Sequence, residues 1–187
     1  MTSLLAVPGR VSFPPCSPTT LLVAPDTFYA HPFVVPPGAR GFDQIGLRVT
    51  NAGEGAGADV CLAIYKDANG APGRLLNGFD PVTGLVETST ATSTITPPLG
   101  LLAGRLLWLA CVFGTAEVTM PTVAAIGSAR RSGSEFGAAS FAELPTSDDH
   151  VPSGVSAAMA YGAFPEMAPE VVPVVGAAVP LVGLRAA

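Results

Sequence analysis

Charge is what this sequence has least of. Asp, Glu, Lys and Arg make up only 12% of its 187 residues, about half the share usual for a soluble domain, while apolar residues make up 49%. So little charge cannot cover the surface of a solitary molecule, and an apolar excess of this kind is commonly hidden against other subunits. An assembly component, and a homo-oligomer, is therefore expected. Basic residues number 9 against 14 acidic ones, giving a formal charge of −5, and the one adjacent basic pair is Arg130 with Arg131. A phosphate-binding face needs clustered Lys and Arg, so no nucleic-acid partner is expected.

Long apolar runs are also missing. The least charged stretches, Thr88 to Gly104 and Val171 to Leu184, are broken by Pro97, Pro98, Gly100, Pro173, Gly176 and Pro180. Neither offers the roughly 20 apolar residues of a spanning helix, so no membrane partner is expected. The start, MTSLLAVPGR, has no basic segment before a long apolar run, and a secretory leader is not expected. The three cysteines, Cys16, Cys61 and Cys111, are odd in number and widely spaced. Two of them sit in apolar strand patterns, where a free Cys acts as a small buried hydrophobe, so reduced core thiols are expected.

Uninterrupted helix is excluded by punctuation. The 21 glycines and 19 prolines leave Ala58 to Asn69 and Leu85 to Thr96 as the longest stretches free of both, and either residue costs a helix interior about 1 to 3 kcal/mol. Within the gaps the apolar pattern has period 2. Ile45, Leu47 and Val49 alternate with Gln44, Gly46, Arg48 and Thr50, and Val60, Leu62 and Ile64 alternate with Cys61, Ala63 and Tyr65. That spacing predicts strands with one face committed to a core. LVETSTATSTIT, from Leu85 to Thr96, is rich in Thr and predicts a strand with a wet outer face. RLLWLACVF, from Arg105 to Phe113, is apolar on both alternating faces. It predicts a central strand covered on two sides or one lying at a subunit interface.

Turn signals separate these segments: Pro36-Pro37-Gly38, Asn51-Ala52-Gly53, Asn69-Gly70, Pro72-Gly73, Asn77-Gly78 and Ala103-Gly104. Short strands with turns every ten or so residues predict an all-β chain, a single antiparallel β-sandwich of jelly-roll type. Residues 1–25 read as an extended, Pro-rich N-terminal arm, 26–164 as the sandwich, and 165–187 as a Pro/Val-rich C-terminal strand or arm. VSAAMAYGAF reads as the last clear strand before that tail.

Motifs that carry chemistry are scarce. The only histidines, His31 and His150, lie far apart, one in a Pro-flanked strand and one in an acidic loop, without the paired spacing of zinc sites. Asp67-Ala68-Asn69-Gly70 opens like a calcium loop, but Ala71-Pro72-Gly73 breaks the spacing and no Glu follows at the twelfth position, so a hairpin turn is expected. Asp148, Asp149 and His150 offer two members of a catalytic triad in one loop, without a G-x-S-x-G elbow. Carboxylates at Asp80, Glu87 or Glu54 could pair on a sandwich as in glycoside hydrolysis, yet no pattern selects them. The Gly-rich Gly53 to Gly57 precedes a strand and not a helix N-terminus, which removes the phosphate-loop reading. No catalytic residue, metal ligand or cofactor site is predicted, and the chain is not expected to be an enzyme.

The order Tyr29, Pro32-Phe33-Val34-Val35-Pro36, Phe42-Asp43-Gln44-Ile45-Gly46, Val49-Thr50, Ala52-Gly53, Leu62-Ala63-Ile64-Tyr65, Asp67 and Pro72-Gly73 is similar to a β-sandwich module of structural proteins in tailed bacteriophages and prophages. Thr94-Ile95, Leu102-Ala103-Gly104-Arg105, Leu107-Trp108-Leu109-Ala110 and Pro121-Thr122-Val123 resemble its closing strands. The likeness covers roughly Tyr29 to Ile126 and carries no catalytic residues. It implies a virion protein assembled in the bacterial cytoplasm, either a head decoration or cement subunit binding the major capsid protein or a component of the tail tip or baseplate. The absence of heptads or a long repeat speaks against a fibre shaft. A second class is a carbohydrate-binding module for host-surface polysaccharide, with Tyr29, Tyr65 and Tyr161 as candidate glycan contacts. Trp108, in the most apolar strand, is expected in the core.

Overall fold

A computed structural model of the chain describes residues 8–14, 18–38, 41–52, 58–85, 90–114, 119–127 and 152–187. Arg130, Arg131, Asp148, Asp149, His150, Cys16, Glu54 and Glu87 lie outside the described residues. Among the described residues there is no helix, and the strands form two antiparallel sheets packed face to face. Over the described residues the chain is all-β, as the Gly/Pro punctuation predicts.

The first sheet is organised around β4 (Phe42–Asn51). One side of β4 carries β8 (Thr90–Leu99). Its other side pairs first with β14 (Val182–Ala186) and then, at Val49 and Asn51, with β10 (Thr122–Ile126). β1 (Val11–Ser12) adds to β14, while β2 (Pro18–Leu22) and β13 (Val179–Pro180) flank β10. The second sheet runs in the order β12 (Val172–Val174), β11 (Gly154–Ala158), β3 (Thr27–Val34), β9 (Leu106–Phe113) and β5 (Ala58–Ala68). On the far side of β5 lie β6 (Ala71–Gly78) and then β7 (Val82–Leu85).

Both predicted alternations point into the core. Ile45, Leu47 and Val49 from β4 meet Val60, Leu62 and Ile64 from β5 in one buried cluster, with Leu107, Leu109, Cys111 and Phe113 from β9. The other face of β9, through Trp108 and Ala110, joins Phe28, Ala30, Ala63 and Tyr65 in a second cluster on the outside of the second sheet. β9 is therefore the doubly covered strand, and its outer cover is a later stretch of the same chain. Cys61 and Cys111 are free and buried, and they point to opposite faces of the sheet. Burial raises both thiols above their ordinary range.

The turns are partly as expected. Asn69 and Gly70 both take positive φ, 57° and 85°, and close the β5–β6 hairpin, the geometry that favours an Asn-Gly pair. Pro72-Gly73 and Asn77-Gly78, by contrast, lie inside β6 and not at turns. The β5–β6 ladder shifts register twice, and such bulges absorb residues that a regular strand would reject. A Cβ on Gly73 would come within 2.6 Å of the Ala68 Cβ, so the close approach of the two strands requires glycine there.

The chain ends are part of the sandwich over their described residues. The segment read as an N-terminal arm supplies β1 and β2, and the C-terminal segment supplies β12, β13 and β14. β14 lies between β1 and β4, with Val182, Leu184 and Ala186 buried, because its apolar alternation continues the core face of β4. It is neither an edge strand nor a free arm.

Buried His31 ties the sheets together. From β3 its Nε2 lies 3.1 Å from the Val182 nitrogen and 3.0 Å from the Val182 carbonyl oxygen in the opposite sheet, and Nδ1 stands 3.1 Å from the Pro32 carbonyl. Either neutral tautomer finds a partner there. Nearby, a Cβ on Gly154 would meet the Ala30 carbonyl oxygen at 2.5 Å and Val179 Cγ2 at 2.8 Å, so glycine lets the sheets close at this corner. His31→Leu keeps the apolar contact but deprives the buried Val182 amide of this acceptor. A loss of about 1 to 3 kcal/mol is expected, seen in urea as a lower midpoint with an unchanged slope. Unchanged stability would contradict a structural role for the imidazole.

Candidate docking face

The two outer faces of the sandwich are treated differently by the chain. Over the second sheet runs the segment from Met159 to Val171, whose Met159, Phe164, Ala168 and Val171 pack on the outer cluster. Asp26 fixes its start: the Asp26 carbonyl accepts the Met159 N–H at 3.0 Å, and its Oδ1 accepts the Tyr161 N–H at 2.7 Å. Asp26 itself has φ 48°, a region that Asp tolerates better than most residues. Further along, Phe164 meets Phe28 and Tyr65 edge to face at 6.2 and 6.1 Å. The strap then bonds to the edge of β6, where Leu75 N–H donates to the Glu166 carbonyl and Ala168 N–H to the Gly73 carbonyl. An Arg74–Glu166 ion pair at 2.8 Å lies outside it, well exposed, where such a pair contributes little.

The outer face of the first sheet has no such cover among the described residues. There Gln44, Gly46 and Arg48 of β4, Thr90 and Thr92 of β8, and Gly183 and Arg185 of β14 line a groove of about 400 Å³. Val11 and Phe13 form an apolar wall with Pro18 and Leu181. Phe13 is 55% exposed and Leu22, on the same face of β2, is 63% exposed. The groove exists because its floor is glycine. Gly46 and Gly183 are cross-strand partners; a Cβ on the first would stand 2.7 Å from the Ala91 carbonyl oxygen and on the second 2.6 Å from Val11 Cγ1.

At one end of this face Arg185 holds Asp43 in a bidentate pair, Nε to Oδ1 and Nη2 to Oδ2, both 2.8 Å. The guanidinium keeps the Asp43 carboxyl below its ordinary range, against a smaller opposing effect of desolvation. Both side chains stay about a third exposed, 36% and 29%, so the planar fork fixes geometry more than it adds stability.

The three tyrosines singled out as candidate glycan contacts do not come together on a surface. Tyr65 is fully buried, its hydroxyl donating to the Pro165 carbonyl at 3.0 Å, and burial pushes that hydroxyl up to about 12. It presents no face to a sugar, because the strap covers it. Tyr29 is half-buried; its oxygen accepts the Ala24 N–H at 3.2 Å, and desolvation raises its pKa. Tyr161 packs its ring against Gly114, where a Cβ would lie 3.1 Å from the ring. The Tyr161 hydroxyl is buried beside the Cys61 thiol without a hydrogen bond of ordinary geometry, and burial raises it. Trp108 is fully buried, its indole N–H donating to Asp67 Oδ1 at 2.9 Å. Asp67 also caps the hairpin by accepting the Gly70 N–H; its oxygens are thus engaged in the turn. Among the described residues no three His, Cys, Asp or Glu side chains gather as a metal site.

Sequence reasoning missed Val11, Phe13 and the Gly46–Gly183 floor. The V-S-F alternation at 11–13 is a strand signal, but two residues are too short to stand out among prolines. Compared with known proteins, the chain matches no family model and has no significant match among curated sequences.

The Asp43–Arg185 pair sets a pH dependence. A carboxyl whose pKa is lower folded than unfolded stabilises above its unfolded value, near 4, and that contribution is lost as pH falls through the folded value. The melting temperature of Asp43→Asn is expected to fall less steeply than that of the parent below about pH 4, the two curves converging in stronger acid. Parallel curves would show that the pair is not formed in solution.

Proposed function

We propose that this protein is a non-enzymatic structural subunit of a tailed-phage virion, a head decoration or cement protein that docks through the uncovered outer face of its first sheet. The observation that carries this reading is the difference between the two outer faces. One is closed by the chain's own strap; among the described residues the other leaves Val11 and Phe13 exposed at a glycine-floored groove, with Leu22 exposed farther along β2. Exposed apolar surface of this kind, rimmed by Thr, Gln and Arg, suits a protein partner. The resemblance over Tyr29 to Ile126 supplies the virion context, the jelly-roll lineage of the sandwich and the major capsid protein as partner. In this reading the Pro-rich N-terminal segment, which carries β1 and β2, is the part that meets neighbouring subunits, and stabilisation of the particle comes from summed contact area around its symmetry axes.

The tail tip or baseplate would present the same physics to a different partner. Co-sedimentation with heads and with tails lacking the protein separates these locations. Phe13→Asp and Leu22→Asp are each expected to weaken head binding by about thirtyfold, since a buried aromatic or aliphatic anchor contributes about 2 kcal/mol, while leaving the melting temperature unchanged. Val172→Asp, on β12 at the edge of the second sheet and 61% exposed, is expected to bind like the parent. Equal binding by all three variants, or loss with Val172→Asp alone, would overturn the docking face.

A further inference from the structure

A second concavity opens along one side of the sandwich, where the sheets stand apart. Its walls are the end of β6 with the link into β7, residues 76–83, and the second half of β8 with the residues after it, 92–100. It is an open cleft of about 840 Å³, within the size range of small-ligand sites. The walls are fixed to the fold: Phe79 N–H donates to the Leu62 carbonyl at 3.0 Å, and Ser93 Oγ reaches across to the Asp80 carbonyl at 3.4 Å.

The chemistry of the lining narrows the ligand. Asn77, Asp80, Thr83, Ser93, Thr94 and Thr96 put hydroxyl, amide and carboxylate groups around the space, and among the described residues no Lys or Arg lines it. Phosphate or another anion would meet Asp80 with no described cation in the lining to balance its charge. A greasy ligand would strip water from these hydroxyls without replacing its hydrogen bonds. An added peptide strand would need a continuous row of backbone donors, and Pro81, Pro97 and Pro98 have none to give. Here β8 also departs from its register with β4: the pairing jumps from Thr94 opposite Gln44 to Leu99 opposite Phe42. What remains suited to the cleft is a ligand that both donates and accepts many hydrogen bonds, carries no negative charge and has apolar C–H patches to set against exposed proline rings.

We propose that this cleft binds a neutral oligosaccharide chain, with Asn77, Asp80 and Thr94 as its principal hydrogen-bonding contacts. The site adjoins the docking face at Thr92 and lies apart from the three tyrosines, and it stands or falls independently of the virion reading. The test is titration of the full chain with neutral hexasaccharides of glucose, galactose, mannose and rhamnose, followed by amide chemical shifts. The expected result is movement confined to residues 76–83 and 92–100 with at least one of the sugars. Asn77→Ala and Thr94→Val should each weaken binding about tenfold, or about 1.4 kcal/mol, whereas Glu170→Gln, exposed at the end of the strap, should not, and Asn77→Ala and Glu170→Gln should sediment with heads as the parent does. No shift with any of the hexasaccharides, or shifts elsewhere on the molecule, would overturn the proposal. So would a synthetic Thr-Ala-Thr-Ser-Thr-Ile-Thr peptide that moves these residues when the sugars do not, since that would make the cleft a strand-addition site.

Discussion

Strand β9 has no polar face: Leu107, Leu109, Cys111 and Phe113 point to one side, Trp108 and Ala110 to the other, and all are buried. A strand of that kind is stable only when both sides are covered, and the rest of the molecule is arranged around this requirement. The first sheet covers the inner side. The Met159–Val171 strap covers the outer side, anchored by Asp26 at one end and by the edge of β6 further along. Burying Trp108, Tyr65 and Phe28 would leave their polar atoms and ring edges without partners unless the cover also matched them. Asp67, the Pro165 carbonyl and Phe164 provide those partners.

Among the described residues the first sheet has no comparable cover. On the outer face of the first sheet the groove presents mostly apolar surface, with Thr, Gln, Arg48 and the Arg185–Asp43 pair around it. Its glycine floor could not be filled without moving Ala91 or Val11, so the groove is a consequence of strand packing and not of missing atoms. The inside of the sandwich, in contrast, is fixed at specific points: His31 against Val182, and Gly154 where Ala30 and Val179 approach.

Much of the fold was legible. Period-2 apolar patterns gave the inward faces of β4 and β5, Gly and Pro excluded helix, and Asn69-Gly70 marked a hairpin. The alternatives left open for Arg105 to Phe113 were decided by a stretch about fifty residues downstream, Met159 to Val171, which has no regular periodicity of its own and could not be assigned a partner from sequence. For the same reason Tyr65 looked available to a ligand: its burial depends on the strap and not on its neighbours in β5. Pro72-Gly73 and Asn77-Gly78 misled because local turn chemistry was overridden by bulged pairing with β5. The groove was illegible because it arises from Gly46 and Gly183, remote in sequence and brought opposite each other by the β4–β14 pairing.

The central proposal is that one sheet is closed on both sides by its own chain, while the other, open on its outer face among the described residues, is covered by a partner. Carbene footprinting of the free protein and of assembled particles tests it most directly, because the reagent marks exposed apolar side chains. Val11, Phe13 and Leu22 should be labelled in the free protein and protected in the particle, with Tyr65 and Trp108 unlabelled in both. Labelling of Trp108 in the free protein, or protection that falls on the strap while Phe13 stays reactive, would contradict the account.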